Sequence, residues 1–334
     1  MKNEEFIMLS IKMLAYNHEK YIVQAIESIL TQKTEYSFEL IIGEDCSTDN
    51  TRSIIKKYEE EYPDIIRVIY QKSNQGCTMN SYLLDLAARG KYIAGCEGDD
   101  FWCDETRIQR DVDFLEAHPE YVGVCHRCRV VDEDGREVDE ATIEEKNKFW
   151  KFDSEIFKLS DYEKWLTPGH GCAQTRRNVI KENPDIDYSI IYKASKRVGD
   201  RTHLLIHVIE GDIYCMQDVV ACYRYRVSGN QQNFMALQKK RNLRDEDYLM
   251  IKRLEEWAKE SRGIELNLDK IKKDRLIGAT SIWLKDCNSE NKKVVENIIR
   301  YSGEGLKYRF YVIKIICIKM FCWKILKKDK LIRL

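Results

Sequence analysis

The feature that most constrains the fold is a repeated alternation, through the first 130 residues, between short apolar runs of strand type and amphipathic runs of helix type. Strands separated by single helices pair in parallel and need helices on both faces, so the pattern requires an α/β sheet covered on each side. Residues 6–14 open as a strand. Residues 20–32 follow as a helix with Tyr21, Ile22, Ala25, Ile26, Ile29 and Leu30 on one stripe. Residues 38–42 form a second strand, 43–49 a polar loop, 51–62 a helix stopped by Pro63, and 65–70 a third strand. After the turn-like Ser73-Asn74-Gln75-Gly76, residues 79–88 read as a helix ended by Gly90, and 91–95 as a fourth strand. An amphipathic helix over 104–118 ends at Pro119; residues 121–131 and Glu137-Val138 then flank the turn 132–135 as a predicted hairpin.

The alternation stops there. Residues 139–166 are charged and carry aromatics at Phe149, Trp150, Phe152, Phe157 and Trp165, the composition of an excursion over the sheet that shapes a cleft. Beyond residue 230 only helical patterns remain, at 233–262, 268–286, 292–300 and 308–326. The chain of 334 residues therefore divides into an α/β part, residues 1–230, and a helical part, residues 231–334, that ends in a basic, apolar tail.

Charge excludes one class of partner. The 55 Lys and Arg nearly cancel the 56 Asp and Glu, which leaves no chain-wide attraction for nucleic acid. The charged residues 1–5 carry no apolar targeting run, so the expected location is cytoplasmic. Twelve cysteines scattered through apolar runs read as reduced thiols. The close pair Cys125 and Cys128, with His126 between them, lacks the second pair of ligands that zinc spacing requires.

Ligands of open α/β sheets bind beyond the carboxyl ends of the strands. Three strand ends here are rich in polar groups: Ala15-Tyr16-Asn17-His18, Glu44-Asp45-Cys46-Ser47 and Glu97-Gly98-Asp99-Asp100. Three acids within four residues repel one another unless a cation or a buried partner offsets them. Mg²⁺ or Mn²⁺ is the simplest partner; such ions use one or two carboxylates and take further oxygens from water and substrate phosphates, which implies a diphosphate substrate. The bland alternative is a solvated acidic turn that caps the helix at Asp104. In the second loop, Ser47 or Asp49 suits helix capping, while Glu44 and Asp45 lie nearer the strand end, within reach of a nucleobase.

With these segments in place the chain resembles a family 2 glycosyltransferase of the GT-A fold, a Rossmann-like, mostly parallel mixed sheet flanked by helices. The resemblance rests on Met13-Leu14-Ala15-Tyr16-Asn17, the loop 44–51, Asn74-Gln75-Gly76, Gly90-Lys91-Tyr92-Ile93-Ala94 and Glu97-Gly98-Asp99-Asp100-Phe101-Trp102, whose order covers roughly residues 6–230. It implies that Asp45 contacts the nucleotide base and that Ala15, Tyr16 and Asn17 lie under the nucleoside. Asp99 matches the metal-ligating acid of the D-x-D motif. Glu97 stands where the first Asp is usual, a longer arm that reaches ribose or metal-bound water, with Gly98 between the two. Met79 departs from the Arg found there in many relatives, and Asn80 keeps the usual Asn as a structural hydrogen-bonder.

The resemblance further implies inverting transfer, in which a base takes the proton of the acceptor hydroxyl. Asp200, in the Gly199-Asp200 pair before the apolar helix 202–209, is the candidate; the alternative is again an N-cap. His170, in Pro168-Gly169-His170-Gly171-Cys172, matches a segment below the sugar, and Arg226 is a candidate for offsetting diphosphate charge. No Q-x-x-R-W sequence is present, which argues against a processive synthase. The expected partners are a nucleotide diphosphate-sugar, with UDP the favoured nucleotide, and a sugar or lipid-linked sugar acceptor in surface-polysaccharide synthesis.

Residues 310–326 are apolar but interrupted by Lys314, Lys319 and Lys324 and followed by further basic residues. Each such charge costs about 2.5–3.5 kcal/mol at mid-bilayer, so a basic helix lying on an anionic inner membrane surface fits better than a span; the alternative is packing on the chain's own body. Two rival functions stand beside this one. A sugar-phosphate nucleotidyltransferase would need a Gly-rich basic loop within residues 6–20, which is missing. A non-catalytic sugar-binding or scaffolding relative is raised by Glu97 and Met79.

Overall fold

A computed structural model describes residues 6–138, 152–225 and 242–326, with side chains described up to residue 319. The chain divides into two compact units, Met1–Gln231 and Gln232–Leu334.

In the first unit the alternation becomes β1 (Leu9–Ala15), α1 (Ile22–Leu30), β2 (Phe38–Glu44), α2 (Thr51–Glu61), β3 (Ile66–Tyr70), α3 (Cys77–Ala87) and β4 (Tyr92–Gly95). Leu9, Ile11, Met13 and Ala15 turn one face of β1 into a core shared with Ile22, Ala25, Ile26 and Ile29 of α1. That agreement of period 2 with period 3.6 is why the sequence pattern was legible. β1, β2 and β3 run parallel outward in that order, whereas β4 pairs with the other side of β1, Leu9 opposite Tyr92. The reversal makes a switch point between β1 and β4, where an open sheet leaves a crevice beyond its strand ends.

The rest of the sheet is mixed. β5 (Phe101–Trp102), α4 (Arg107–Ala117) and β6 (Tyr121–Val131) are followed by β7 (Ile156–Phe157), α5 (Leu159–Glu163) and β8 (Gln174–Arg177). Two short helices, α6 (Val179–Glu182) and α7 (Ile190–Lys193), lead to α8 (Asp200–Val208) and β9 (Asp212–Arg224). The strand order is β3-β2-β1-β4-β8-β6-β9-β5, with β7 on β9. The hairpin expected after residue 121 amounts to one bridge, Val131 to Glu137. β6 pairs instead with β8 and, in parallel, with β9, whose paired residues lie 90 to 93 positions later, a contact that adjacent turn signals cannot reveal. Of the excursion 139–166, the described part contributes β7 and α5.

The second unit contains α9 (Arg244–Arg262), α10 (Asp269–Lys285), α11 (Ser289–Ser302) and α12 (Gly305–Leu326). Gly263 and Gly303 end α9 and α11 with φ of 67° and 69°, the left-handed region that glycine enters without steric cost. Tyr248, Leu276, Ala279, Val295, Ile298, Tyr308 and Val312 build its own core.

Candidate functional site

The ends of β1 and β2 are tied together by their loops. The Asp45 backbone N–H donates to the Ala15 carbonyl (2.9 Å), the Asn17 N–H to Ser47 Oγ (3.0 Å), and the Thr48 N–H to Asn17 Oδ1 (2.8 Å). Asn17 and Cys46 adopt φ of 55° and 62°; Asn tolerates this region better than most residues. Ala15 is buried beneath this platform, and Tyr16 stands out from it, 42% exposed.

The acids of the second loop divide. Glu44 is fully buried, accepts the Ser47 N–H (2.7 Å) and pairs with Arg52, so it braces the loop. Asp45 is buried as well, and its two oxygens accept the N–H groups of Gln75 (2.7 Å) and Gly76 (2.9 Å). Gly76, at φ 82°, turns the chain into α3. Asp45 therefore anchors the 74–76 loop, and each oxygen retains a second lone pair. Asn80 donates to the Gly43 carbonyl (2.8 Å), the structural role expected of it.

The acidic loop leaves β4 at the switch point. Its backbone is held by β1: Cys96 N–H donates to the Lys12 carbonyl (3.0 Å) and Gly98 N–H to the Leu14 carbonyl (2.9 Å). Gly98 admits no side chain, since a Cβ there would stand 2.8 Å from His18 Nδ1 and 3.1 Å from the Leu14 carbonyl. This tight seat presents Glu97 outward and keeps Asp99 and Asp100 within, with His18 Nε2 3.9 Å from Asp99 Oδ2. Burial, with Asp99 and Glu97 beside it, pushes the Asp100 carboxyl well above the usual carboxylate range. Asp100 Oδ1 accepts the Arg224 N–H (2.9 Å), while its buried Oδ2 has no hydrogen-bond partner. The helix-capping alternative for this run does not hold: α4 follows Asp104, whose carboxylate accepts the Thr106 N–H (2.8 Å).

Arg224, at the end of β9, fixes the loop from the far side. Its guanidinium donates to the carbonyls of Asp99 (2.9 Å), Asp132 (3.1 Å) and Glu133 (2.9 Å) and to Gln24 Oε1 (2.7 Å), over the Tyr21 ring. Sequence reasoning missed this role and favoured its neighbour Arg226, which lies outside the described residues. Nothing local in Tyr223-Arg224-Tyr225-Arg226 tells the two apart.

Asp200 opens α8, but Gly199 is the N-cap residue and no side-chain capping bond forms, so capping does not account for this carboxylate. It is exposed, and its Oδ1 stands 3.9 Å from where a Cβ on Gly171 would be. Burial holds the His170 imidazole below its ordinary value, opposed by Asp200 and Asp99; its Nδ1 stands 3.9 Å from Asp100 Oδ2, and Asp200 lies beside the next residue, Gly171. Likewise burial, then Glu97 and Asp200, push the Cys77 thiol up to about 11. The acidic loop, His170 and Asp200 thus come from distant segments to neighbouring positions. His170 itself is nearly buried, packed on Tyr223 with ring centroids 4.3 Å apart and with Nδ1 2.9 Å from Cys172 Sγ. The described cysteines are free; Cys128, not Cys125, joins His170 and Cys172 in one buried group.

A sheet with its switch point at β1 and β4, an acidic loop at that point and a capless carboxylate opposite define a GT-A type of nucleotide-sugar fold. The family model described as Glycosyl transferase family 2 matches residues 10–183, just over half of the chain, and the chain belongs to that family. A protein of Mycobacterium tuberculosis named as uncharacterised is 32% identical over 230 residues, 66% of this chain and 60% of its own. This chain therefore spans less than two thirds of that relative. The Escherichia coli protein WfaP, named UDP-Glc:alpha-D-GlcNAc-diphosphoundecaprenol beta-1,3-glucosyltransferase, is 35% identical over 110 residues, 33% of this chain and 42% of that one. Among solved structures, residues 1–349 of Staphylococcus aureus TarS in complex with UDP align with a TM-score of 0.60 at 16% identity, covering 88% of this chain and 81% of that one. At that identity the likeness speaks for the fold alone.

Proposed function

We propose that the protein moves a sugar from a nucleotide diphosphate-sugar, with UDP the favoured nucleotide, to an acceptor hydroxyl, inverting the anomeric centre. The observation that carries this reading is the meeting of Asp99, seated by β1 and Arg224, with Asp200, which heads α8 without capping it. The first carboxylate suits a metal ion and the second a proton.

The residues fit a hard divalent cation: the Asp99 carboxylate has Glu97 beside it in the same loop and a buried Asp100 oxygen that has no hydrogen-bond partner and stands 3.9 Å from His170 Nδ1. Asp99 would hold Mn²⁺ or Mg²⁺, which when bound offsets negative charge on the diphosphate leaving group. Ala15, Tyr16 and Asn17 would support the nucleoside, and Asp45 would meet the base through the lone pairs that its loop contacts leave over. Glu97 and Gly98 face the ribose and diphosphate. His170, neutral because burial disfavours its charge, lines the floor below the sugar. Asp200, exposed and unbonded by a cap, takes the proton from the acceptor hydroxyl as its oxygen attacks. Arg226 remains a candidate for the departing diphosphate.

The name of the E. coli relative, which specifies a UDP-sugar donor and a lipid diphosphate-linked acceptor, favours UDP and an acceptor of that kind for surface-polysaccharide synthesis. No described helix is long and apolar enough to cross a membrane. In α12, however, Leu306, Phe310 and Ile313 lie exposed on one stripe, 77%, 69% and 55%, beside Lys307, Arg309 and Lys314. This stripe favours peripheral docking on the anionic inner face of the membrane. Phe310→Glu should then reduce sedimentation with phosphatidylglycerol vesicles, and equal sedimentation would reject the docking.

The test of the function is a panel of UDP-, GDP- and dTDP-sugars scored for Mn²⁺-dependent nucleotide release and thermal stabilisation. One nucleotide series should stand out. A flat response across the panel would count against the reading and favour a non-catalytic relative.

A further inference from the structure

On the face of the sheet opposite the α1 core, a chain of ionisable groups is buried that takes no part in the chemistry above. Lys12 projects from the middle of β1 and pairs with Asp85 Oδ1 of α3. Asp85 Oδ2 lies 2.8 Å from His203 Nε2, on α8, and His203 Nδ1 lies 3.1 Å from the Gly199 carbonyl oxygen. All three side chains are less than a tenth exposed. The ring thus faces an acceptor on each side, the Asp85 carboxylate and the Gly199 carbonyl, with Ser81 Oγ also 3.5 Å from Nε2. Ser81 Oγ accepts from Lys12 (3.2 Å); Arg176 is buried nearby, and burial together with Arg176 holds the His207 imidazole well below its ordinary value.

Such a chain is a poor device for stability alone. Burying charges costs several kcal/mol each, and apolar replacements of equal volume are often neutral or stabilising. Its geometry serves another end. The Gly199 carbonyl accepts two donors from one residue, the His203 ring and the His203 backbone N–H (2.9 Å). That carbonyl belongs to the peptide joining Gly199 to Asp200, whose plane sets where the Asp200 carboxylate points. At the other end of the chain, the Lys12 carbonyl holds Cys96 at the root of the acidic loop. One path of bonds thus links the strand that seats Asp99 to the peptide that aims Asp200.

We propose that Lys12, Asp85 and His203 form a positioning relay that fixes the Asp200 carboxylate relative to Asp99. The inference rests on the reading of Asp200 as the base. Misplacing a reacting group by about 1 Å costs on the order of 100-fold in rate, so loss of the relay lowers kcat while the nucleotide still binds.

Two substitutions of one residue separate positioning from bracing. In His203→Asn the amide nitrogen falls near Nδ1 and still reaches the Gly199 carbonyl; in His203→Gln it falls near Nε2 and reaches Asp85 instead. With the UDP-sugar that the panel identifies, His203→Gln should lower kcat about 10- to 100-fold and His203→Asn by much less. Donor KM and the affinity for UDP with Mn²⁺ should hold in both. Hydrogen exchange of residues 200–204 needs no substrate, and should quicken in His203→Gln and stay slow in His203→Asn. Wild-type kcat and exchange in both variants would overturn the relay. So would Gln performing as well as or better than Asn, or losses of kcat, UDP affinity and Tm that run in parallel, because each describes a mere brace. An active Asp200→Asn would instead remove the base and leave the exchange result standing, so the two failures are distinguishable.

Discussion

Asp45→Asn separates what this carboxylate does for the fold from what it does for a ligand. In the structure both oxygens are engaged, by Gln75 N–H at 2.7 Å and Gly76 N–H at 2.9 Å, in a buried position. An amide has one oxygen and one NH₂, so one of these bonds becomes a donor facing a donor. Hydrogen bonds to a charged group contribute about 1.5–3 kcal/mol, and the surviving bond loses its charge assistance, about half its strength. The expected loss is about 3 kcal/mol. For a unit of this size each kcal/mol moves Tm by about 2–4 °C, so Asp45→Asn should melt about 6–12 °C below the wild type. The assay is urea and thermal denaturation followed by circular dichroism, with titration of UDP in Mn²⁺ on the same samples. Loosening of the 74–76 loop should also weaken UDP, in step with the stability loss. An unchanged Tm with UDP binding abolished would refute the anchoring argument and make Asp45 a ligand contact first.

Asp99→Asn should abolish transfer and remove the Mn²⁺ enhancement of UDP binding, whereas Asp200→Asn should abolish transfer with that enhancement intact; calorimetry and turnover read both, and full activity in either removes the residue from the mechanism. Gly98→Ala would set a Cβ 2.8 Å from His18 Nδ1, 2.9 Å from Ile22 Cδ1 and 3.1 Å from the Leu14 carbonyl. Only the side chains can yield, so the cost should be about 1–3 kcal/mol in a melt, with weaker Mn²⁺-dependent UDP binding; an unperturbed melt would contradict the tight seat. Acid should destabilise the first unit. Burial raises the Asp85 and Asp111 carboxyls, but Lys12 and His203 for one, and His126 and Arg107 for the other, outweigh it and hold both below the usual range. Their contribution is complete above the unfolded value, about 3.9, and is lost as pH falls through the lower folded value. Unfolding free energy measured from pH 6 to 3 should therefore drop on the acid side, and by less in Asp111→Asn; identical profiles would reject the assignment.

The strand and helix alternation was legible because each element announces its period and buries a face that the period defines. Leu9, Ile11, Met13 and Ala15 read as one face of a strand, and they form it. The polar strand ends were legible too, since an α/β sheet must place them at one edge. The GT-A arrangement and the membership of family 2 follow from those segments in order. What the sequence could not decide was pairing over long separations. β6 beside β9 depends on which strand of many completes the sheet, and short-range signals named Glu137-Val138 instead. The same limit applies to side chains. Glu44 and Asp45 are adjacent acids of like pattern, yet one pairs with Arg52 and the other with the Gln75 and Gly76 amides. Lys12 looks like an interruption in an apolar strand until Asp85 and His203 arrive from 73 and 191 residues away. By itself the sequence determined the elements and their polar ends, because those follow from local periodicity and chain direction. Only the tertiary structure decided which charges meet, because electrostatic pairing depends on distance in space and on exclusion of water.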